Sequence, residues 1–162
     1  MNEPSWLVEA RKYIGLSEFP GASHNSTILR WLDKLSAWWR DDETPWCGVF
    51  VAYCMQASDI AVPKYWMRAK AWADWGSRLS APVTGCVVVF ERQGGGHVGF
   101  VVGRTLTGNL MVLGGNQGDK VSIAAFDRSR VVGYYWPPGL PLPIHQGLIV
   151  MADNGQLSTN EA

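Results

Sequence analysis

The 162-residue chain lacks a surplus of either charge, because 14 Lys and Arg residues balance 14 Asp and Glu residues. It also has no block of basic residues and no acidic tail. Strong binding to nucleic acid needs a clustered surface that neutralises phosphates, and attraction to an anionic membrane needs a polybasic segment. We therefore expect neither nucleic acid nor a membrane among its partners.

Cysteine is scarce, and its number is odd. The chain has three cysteines, so a complete disulfide framework is excluded. Free thiols are typical of proteins made in a reducing cytosol. The first residues have neither a basic start nor an apolar run, and no apolar run reaches membrane-spanning length. We expect synthesis in the cytoplasm without a signal peptide.

The apolar residues, 47% of the chain, suit one folded domain, and their pattern changes once along the sequence. Helical spacing predicts helices over residues 6–14, from Asn25 or Ser26, from Cys47 to about 58, and over 66–75. From Val83 onward, short β-branched or aromatic runs separated by glycine-rich turns predict an antiparallel sheet. The predicted strands cover residues 87–90, 98–102, 110–113, 121–123 and 131–135.

Helices first and strands later indicate an α+β fold, with N-terminal helices packed on a small antiparallel sheet. We expect this domain to span residues 1–136. The proline-rich stretch that follows Trp136, together with a polar end, predicts an exit segment and flexible tail over residues 137–162.

Cys47 is the first candidate for chemistry. It follows Pro45 and precedes an apolar run, and Pro45 favours a helix start at this point. A thiol at the positive end of a helix has its pKa lowered from about 8.5 toward neutrality, and the thiolate is the nucleophile. Cys54 and Cys86 lie among apolar residues, which predicts core positions for both.

His97 and the polar residues Asn116 and Gln117 complete a catalytic pattern. His97 follows three glycines and opens a strand-like run, which suits a general base at the rim of a sheet. Asn116 follows two glycines and is predicted to orient the imidazole, with Gln117 as the runner-up for that role. Cysteine, histidine and then a polar residue is the order found in papain-like thiol hydrolases. Three carboxylates remain alternatives for the third position: Asp42, Glu43 and Asp119.

Two further expectations concern metals and substrate. Zinc sites have paired ligands at short spacing, and this sequence has none, so we expect no metal and no organic cofactor. Nine tryptophans are many for this length; we expect most of them in the core or in groove walls, and several can form an aromatic cleft for a sugar or peptide. The residues predicted to contact substrate are Trp46, Trp66 and Gln117.

Three motifs carry a resemblance to a known family: Thr44-Pro45-Trp46-Cys47, Gly96-His97-Val98-Gly99-Phe100 and Leu113-Gly114-Gly115-Asn116-Gln117. Together they resemble the phage and prophage branch of the CHAP/NlpC-type papain-like peptidoglycan hydrolases. Trp6, the Glu18-Phe19-Pro20-Gly21 turn and Tyr134-Tyr135-Trp136-Pro137 extend the resemblance over about residues 5–137. There is one departure near the site, since CHAP enzymes commonly place a glutamate where this chain has Gly114.

The resemblance implies a function as well as a fold. It implies hydrolysis of an amide bond in the peptide part of peptidoglycan, with Cys47 as nucleophile, His97 as base and Asn116 as the orienting residue. We expect a monomer that acts in the periplasm or cell wall, either as a phage endolysin released by a holin or as an antibacterial effector delivered by a secretion system. An effector would need an immunity protein. The alternatives are a non-enzymatic module that binds cell wall or a phage particle, and a protein-directed cysteine protease.

Overall fold

A computed structural model of the chain describes five stretches: residues 3–18, 25–39, 45–92, 95–144 and 146–152. In these stretches helices pack against a six-stranded antiparallel sheet, which confirms the predicted α+β fold. None of the helices in the described stretches has both the length and the apolar character needed to cross a bilayer.

The α-helices of the described residues are α1 (Ser5–Arg11), α2 (Ser26–Lys34) and α3 (Cys47–Ala57). The start of α2 confirms the predicted cap, because the Asn25 side chain accepts hydrogen bonds from the backbone of Thr27 and Ile28 at 2.8 and 3.3 Å. Helix α1 is shorter than predicted and ends at Arg11.

The helix predicted over residues 66–75 is wrong in type and extent. Only Ala69–Asp74 is helical, and it forms a 3₁₀ helix. The carbonyl of Trp66, which an α-helix would use for its own ladder, accepts a hydrogen bond from the Trp72 indole at 3.1 Å. The same carbonyl also lies against Gly48 of α3, so contacts outside a helical ladder override the local helical pattern here. A second short 3₁₀ helix covers Arg128–Arg130.

The sheet has the strand order β1-β6-β2-β3-β4-β5, and all its neighbouring pairs are antiparallel. Its strands are β1 (Ser77–Leu79), β2 (Val87–Arg92), β3 (Gly95–Arg104), β4 (Leu110–Gly114), β5 (Ser122–Phe126) and β6 (Val131–Trp136). The five predicted strands are confirmed. Strand β1 was not predicted, because its three residues are too few to show an alternating pattern.

The sheet is strongly curled. The rings of Phe90 on β2 and Phe126 on β5 stack with centroids 4.6 Å apart. In a flat sheet, strands three places apart would lie about 14 Å from each other. The side chains on the concave face therefore pack against one another across the sheet. The other face carries α3, whose Phe50 packs against Phe100 of β3 with ring centroids 6.3 Å apart.

Part of the segment after β6 lies against the sheet. The backbone N–H of Arg104 donates to the carbonyl of Ile149 at 2.9 Å, and that of Met151 donates to the carbonyl of Arg104 at 2.7 Å. Val150 thus forms a parallel bridge with Arg104 at the end of β3. This pairing was not predicted from the sequence. Residues 153–162, where the loose end is predicted, lie outside the described residues.

Candidate active site

Cys47 is the first residue of α3, and its side chain is almost completely buried at 4% exposure. The first hydrogen bond of the helix runs from the Phe50 N–H to the Trp46 carbonyl at 3.0 Å. The N–H groups of the first turn therefore point out of the helix end beside Cys47. The predicted position of Cys47 at a helix start is confirmed. Pro45 lies two residues before the helix instead of opening it.

The other two thiols, those of Cys54 and Cys86, are in a poor position to act as nucleophiles. Cys54 on α3 and Cys86 before β2 are fully buried. Burial raises the pKa of Cys86 to about 12, and it raises the pKa of Cys54 well above the ordinary value of a thiol. Both thiols stay protonated near neutral pH, which agrees with their predicted core positions and leaves Cys47 as the candidate nucleophile.

His97 lies on β3, fully buried, and its Nε2 is 2.9 Å from Oε1 of Gln117. The neighbours of Gln117 fix the orientation of its amide. Its Nε2 donates to the carbonyls of Val112 and Ser122 at 3.2 and 2.8 Å, so its Oε1 faces the imidazole. In neutral His97 the proton must then reside on Nε2, and Nδ1 carries the lone pair of a base.

Aromatic rings hold the plane of the His97 imidazole. Phe126 stacks on it with centroids 5.4 Å apart and an interplanar angle of 12°, and Phe90 stacks at 6.2 Å and 25°. The Arg130 guanidinium lies over both phenyl rings, at 5.7 Å from Phe126 and 5.8 Å from Phe90. The ring can neither tilt nor turn without displacing a buried neighbour. This stack could not be predicted from the sequence, because Phe126 lies three strands from Phe90 in the sheet.

Gly114, the last residue of β4, and Gly115 lie between the His97–Gln117 pair and the start of α3. A Cβ at Gly114 would collide with Gln117 Oε1 and lie 3.4 Å from His97 Nε2. A Cβ at Gly115 would lie 2.8 Å from Phe50 and from the Trp46 ring, which flank Cys47. Gly114 thus lies beside His97 and Gln117, whereas Gly115 lies beside the start of α3.

The same geometry bears on the departure noted at Gly114. A glutamate there would take the space that Gln117 occupies. Among the described residues, His97 Nε2 donates a hydrogen bond to Oε1 of Gln117, the runner-up for the orienting role. Asn116 is fully buried in the turn after β4 and has a left-handed backbone, with φ at +62°. Its orienting role remains a prediction.

The three carboxylates that were alternatives for the third catalytic position differ in where they lie. Asp119 is exposed on the turn that follows Gln117, and Asp42 and Glu43 lie outside the described residues. Glu18 was not singled out as a site residue, although it lies in one of the motifs of the resemblance. Its Oε2 accepts from the Trp46 indole at 2.9 Å, and its N–H donates to the Asp119 carbonyl at 3.0 Å. Glu18 therefore connects the start of α3 to the turn that carries Gln117.

The two tryptophans predicted to contact substrate occupy different positions. The Trp46 ring is fully buried and packs near Trp31, with centroids 6.3 Å apart. Trp66 is 7% exposed, and its carbonyl lies against Gly48, the residue after Cys47. Contact of either ring with substrate remains a prediction.

The described residues contain no group of three or more His, Cys, Asp and Glu side chains placed to hold a metal ion. No curated protein matches the sequence. The family model of the CHAP domain does match, and the matched stretch contains Cys47, His97 and Asn116. Over residues 39–116, just under half of its length, this chain is therefore similar to the CHAP domain.

Proposed function

We propose that the chain is a cysteine-dependent peptidoglycan hydrolase that cleaves an amide bond in the peptide part of the cell wall. The observation that carries the proposal is the hydrogen bond from buried His97 to Gln117, which leaves Nδ1 as the basic nitrogen. Cys47 at the start of α3 and the match to the CHAP domain support it. A histidine held in one tautomer within a region similar to a CHAP domain suits general acid–base work.

The proposed reaction has two stages. In the first, His97 Nδ1 takes the Cys47 thiol proton, and the thiolate attacks the amide carbonyl to form a tetrahedral intermediate. N–H groups at the start of α3 stabilise its oxyanion. The imidazolium gives its proton to the leaving amine as the C–N bond breaks. In the second stage His97 activates a water molecule, which hydrolyses the thioester and restores the thiol.

Throughout this cycle Gln117 accepts the hydrogen bond from Nε2–H of His97. Since the Gln117 amide is held by two carbonyls, it keeps Nδ1 directed to the same place in both stages.

No metal and no organic cofactor takes part in the proposed reaction. The partner is peptidoglycan, and the proposed enzyme is a monomer. Two settings fit it: an endolysin released by a holin, and a secreted effector that an immunity protein neutralises. The genes beside this one distinguish the two settings.

The test uses purified sacculi and mass spectrometry of the released muropeptides. Wild type is expected to release products whose masses identify the cleaved bond, and Cys47→Ala is expected to release none. Cys54→Ala is the matched control, because it makes the same substitution on the same helix and should keep its activity. Products from Cys47→Ala would contradict the mechanism. No products from folded wild type would favour a binding module, and cleavage of casein alone would favour a protein-directed protease.

A further inference from the structure

The indole of Trp46, the residue before Cys47, donates its hydrogen bond to a carboxylate. Its Nε1–H lies 2.9 Å from Oε2 of Glu18, a half-buried side chain. Four other buried indoles donate to main-chain carbonyls instead, at 2.8–3.1 Å: those of Trp6, Trp72, Trp75 and Trp136. A main-chain carbonyl is therefore enough to satisfy a buried indole N–H in this fold. The charged acceptor at Trp46 needs a further explanation.

The hydrogen bond from Trp46 to Glu18 restrains a helix start that has no side-chain cap. Trp46 is the N-cap residue of α3, where Ser, Thr, Asp or Asn usually accepts from N–H groups of the first turn. Trp46 makes no such bond. Its ring is held instead by Glu18, by Trp31 and by the close approach of Gly115. No capping side chain of Trp46 thus competes for the N–H groups that the proposed reaction uses for the oxyanion.

The main chain of Glu18 is fastened to the turn that carries Gln117. The N–H of Glu18 donates to the carbonyl of Asp119 at 3.0 Å, and Ser17 forms an antiparallel bridge with Lys120. Within the turn, the N–H of Gln117 donates to the carbonyl of Lys120 at 2.9 Å. Main-chain bonds therefore fix Glu18 relative to Gln117, and so relative to the imidazole beside it.

We propose that Glu18 is a positioning residue, which acts through Trp46 to hold Cys47 at a fixed place relative to His97. Its effect on the rate rests on the proposed hydrolase reaction, whereas its hold on Cys47 does not. The thiol proton must pass to His97, and a misplacement of about 1 Å can cost about 100-fold in rate. A carboxylate suits this task because a hydrogen bond to an ionised acceptor is about twice as strong as one between neutral groups.

The first experiment measures kcat and KM of Glu18 and Trp46 variants on a soluble stem peptide. Glu18→Ala removes the acceptor, and Trp46→Phe removes the donor but keeps an aromatic ring. Each should lower kcat by about tenfold to 100-fold with KM nearly unchanged. Because both break the same bond, the double variant should be no slower than the slower single variant. Glu18→Gln keeps an uncharged acceptor, so its kcat should exceed that of Glu18→Ala by about fivefold or more.

The matched control is Trp6→Phe, which breaks the 2.8 Å hydrogen bond from another buried indole to the carbonyl of Gly85. It should lower Tm as Trp46→Phe does but leave kcat unchanged, with all rates measured well below the Tm of every variant. An equal fall in kcat for Trp6→Phe would show that Glu18 only supports the fold. That result would overturn the proposal, and so would a double variant in which the two single effects on kcat multiply.

A second experiment needs no substrate and follows alkylation of Cys47 by iodoacetamide at pH 7, counted by intact mass. The start of α3 and an aligned imidazolium favour the thiolate, so misplacing Cys47 should slow its alkylation. Trp46→Phe and Glu18→Ala should slow it by similar factors, and Trp6→Phe should not. Unchanged or faster alkylation in both site variants would overturn the proposal.

The two experiments separate this inference from the proposed function. If wild type cleaves no substrate but both site variants slow the alkylation of Cys47, the hydrolase proposal fails and the positioning by Glu18 stands. If cleavage depends on Cys47 but Trp46→Phe and Glu18→Ala keep wild-type kcat, the positioning proposal fails alone.

Discussion

Replacing Gln117 by leucine would test whether His97 depends on the amide that holds it. The substitution keeps a side chain of similar size but removes the acceptor 2.9 Å from His97 Nε2. It also removes the donor to the carbonyls of Val112 and Ser122. With about 1 kcal/mol for each of three neutral hydrogen bonds, we expect a loss of about 3 kcal/mol in the free energy of unfolding. For a chain of this length, that corresponds to a fall of about 6–12 °C in Tm.

The effect on activity has a separate physical cause. Without the acceptor, the imidazole is no longer held in the tautomer with its lone pair on Nδ1. General acid–base catalysis contributes about 10²–10⁴-fold to a rate, so kcat should fall by at least about 100-fold. KM should change little, because Gln117 is 3% exposed and its amide is engaged by His97, Val112 and Ser122. Stability is measured by thermal unfolding, and kcat and KM are measured on a soluble stem peptide at 25 °C.

Two further variants separate the roles of Gln117. Gln117→Glu keeps an acceptor for His97 but loses the donor to the two carbonyls, so it should be destabilised like the leucine variant and yet exceed its kcat by about tenfold or more. Gln56→Leu is the matched control, since Gln56 is exposed on α3, and it should behave as wild type. If Gln117→Leu retained wild-type kcat in a folded protein, the proposed orientation of His97 by Gln117 would be refuted.

Two other predictions concern the thiols and the ring stack. At pH 8, iodoacetamide should modify one thiol of the native protein, Cys47, and three in urea. Burial raises the pKa of Cys54, and it raises that of Cys86 to about 12, so both thiols stay protonated at pH 8. A second modified thiol in the native protein, counted by intact mass, would contradict this assignment. Phe126→Leu should lower kcat by about tenfold with KM unchanged, because it removes the ring that stacks on His97 at 5.4 Å. Equal changes in both constants would argue against a positioning role for Phe126.

Most of the fold could be predicted because its signals are local. Asn25 caps α2 as its residue type suggests, and α3 begins at Cys47 and ends near the predicted residue. The five longer strands follow their β-branched runs. The failures lie where distant contacts decide the structure. The Trp66 carbonyl lies against Gly48 of α3 and accepts from the Trp72 indole rather than from a helical N–H, and Val150 pairs with Arg104 from far along the chain.

The candidate site, like the fold, could be predicted from the sequence only in part. Spacing and residue type were enough to place Cys47 at a helix start and His97 on a strand. They could not decide between Asn116 and Gln117, because adjacent residues in a turn point in directions that depend on its backbone. The positive φ of Asn116 and the carbonyls that hold the Gln117 amide appear only in three dimensions. The phenyl stack on His97 depends on the curl of the sheet, which no local pattern encodes.

Gly114 and Gly115 have a consequence for genetics. Any side chain at the first position would displace the amide beside His97, and any at the second would push on Phe50 and Trp46. In a random mutagenesis screen for lost activity, both positions should therefore score as strongly as a reacting group, even though neither residue has an atom that takes part in chemistry. Directed evolution of this protein would meet two adjacent positions at which only glycine is accepted, and a library that spared them would contain more folded variants.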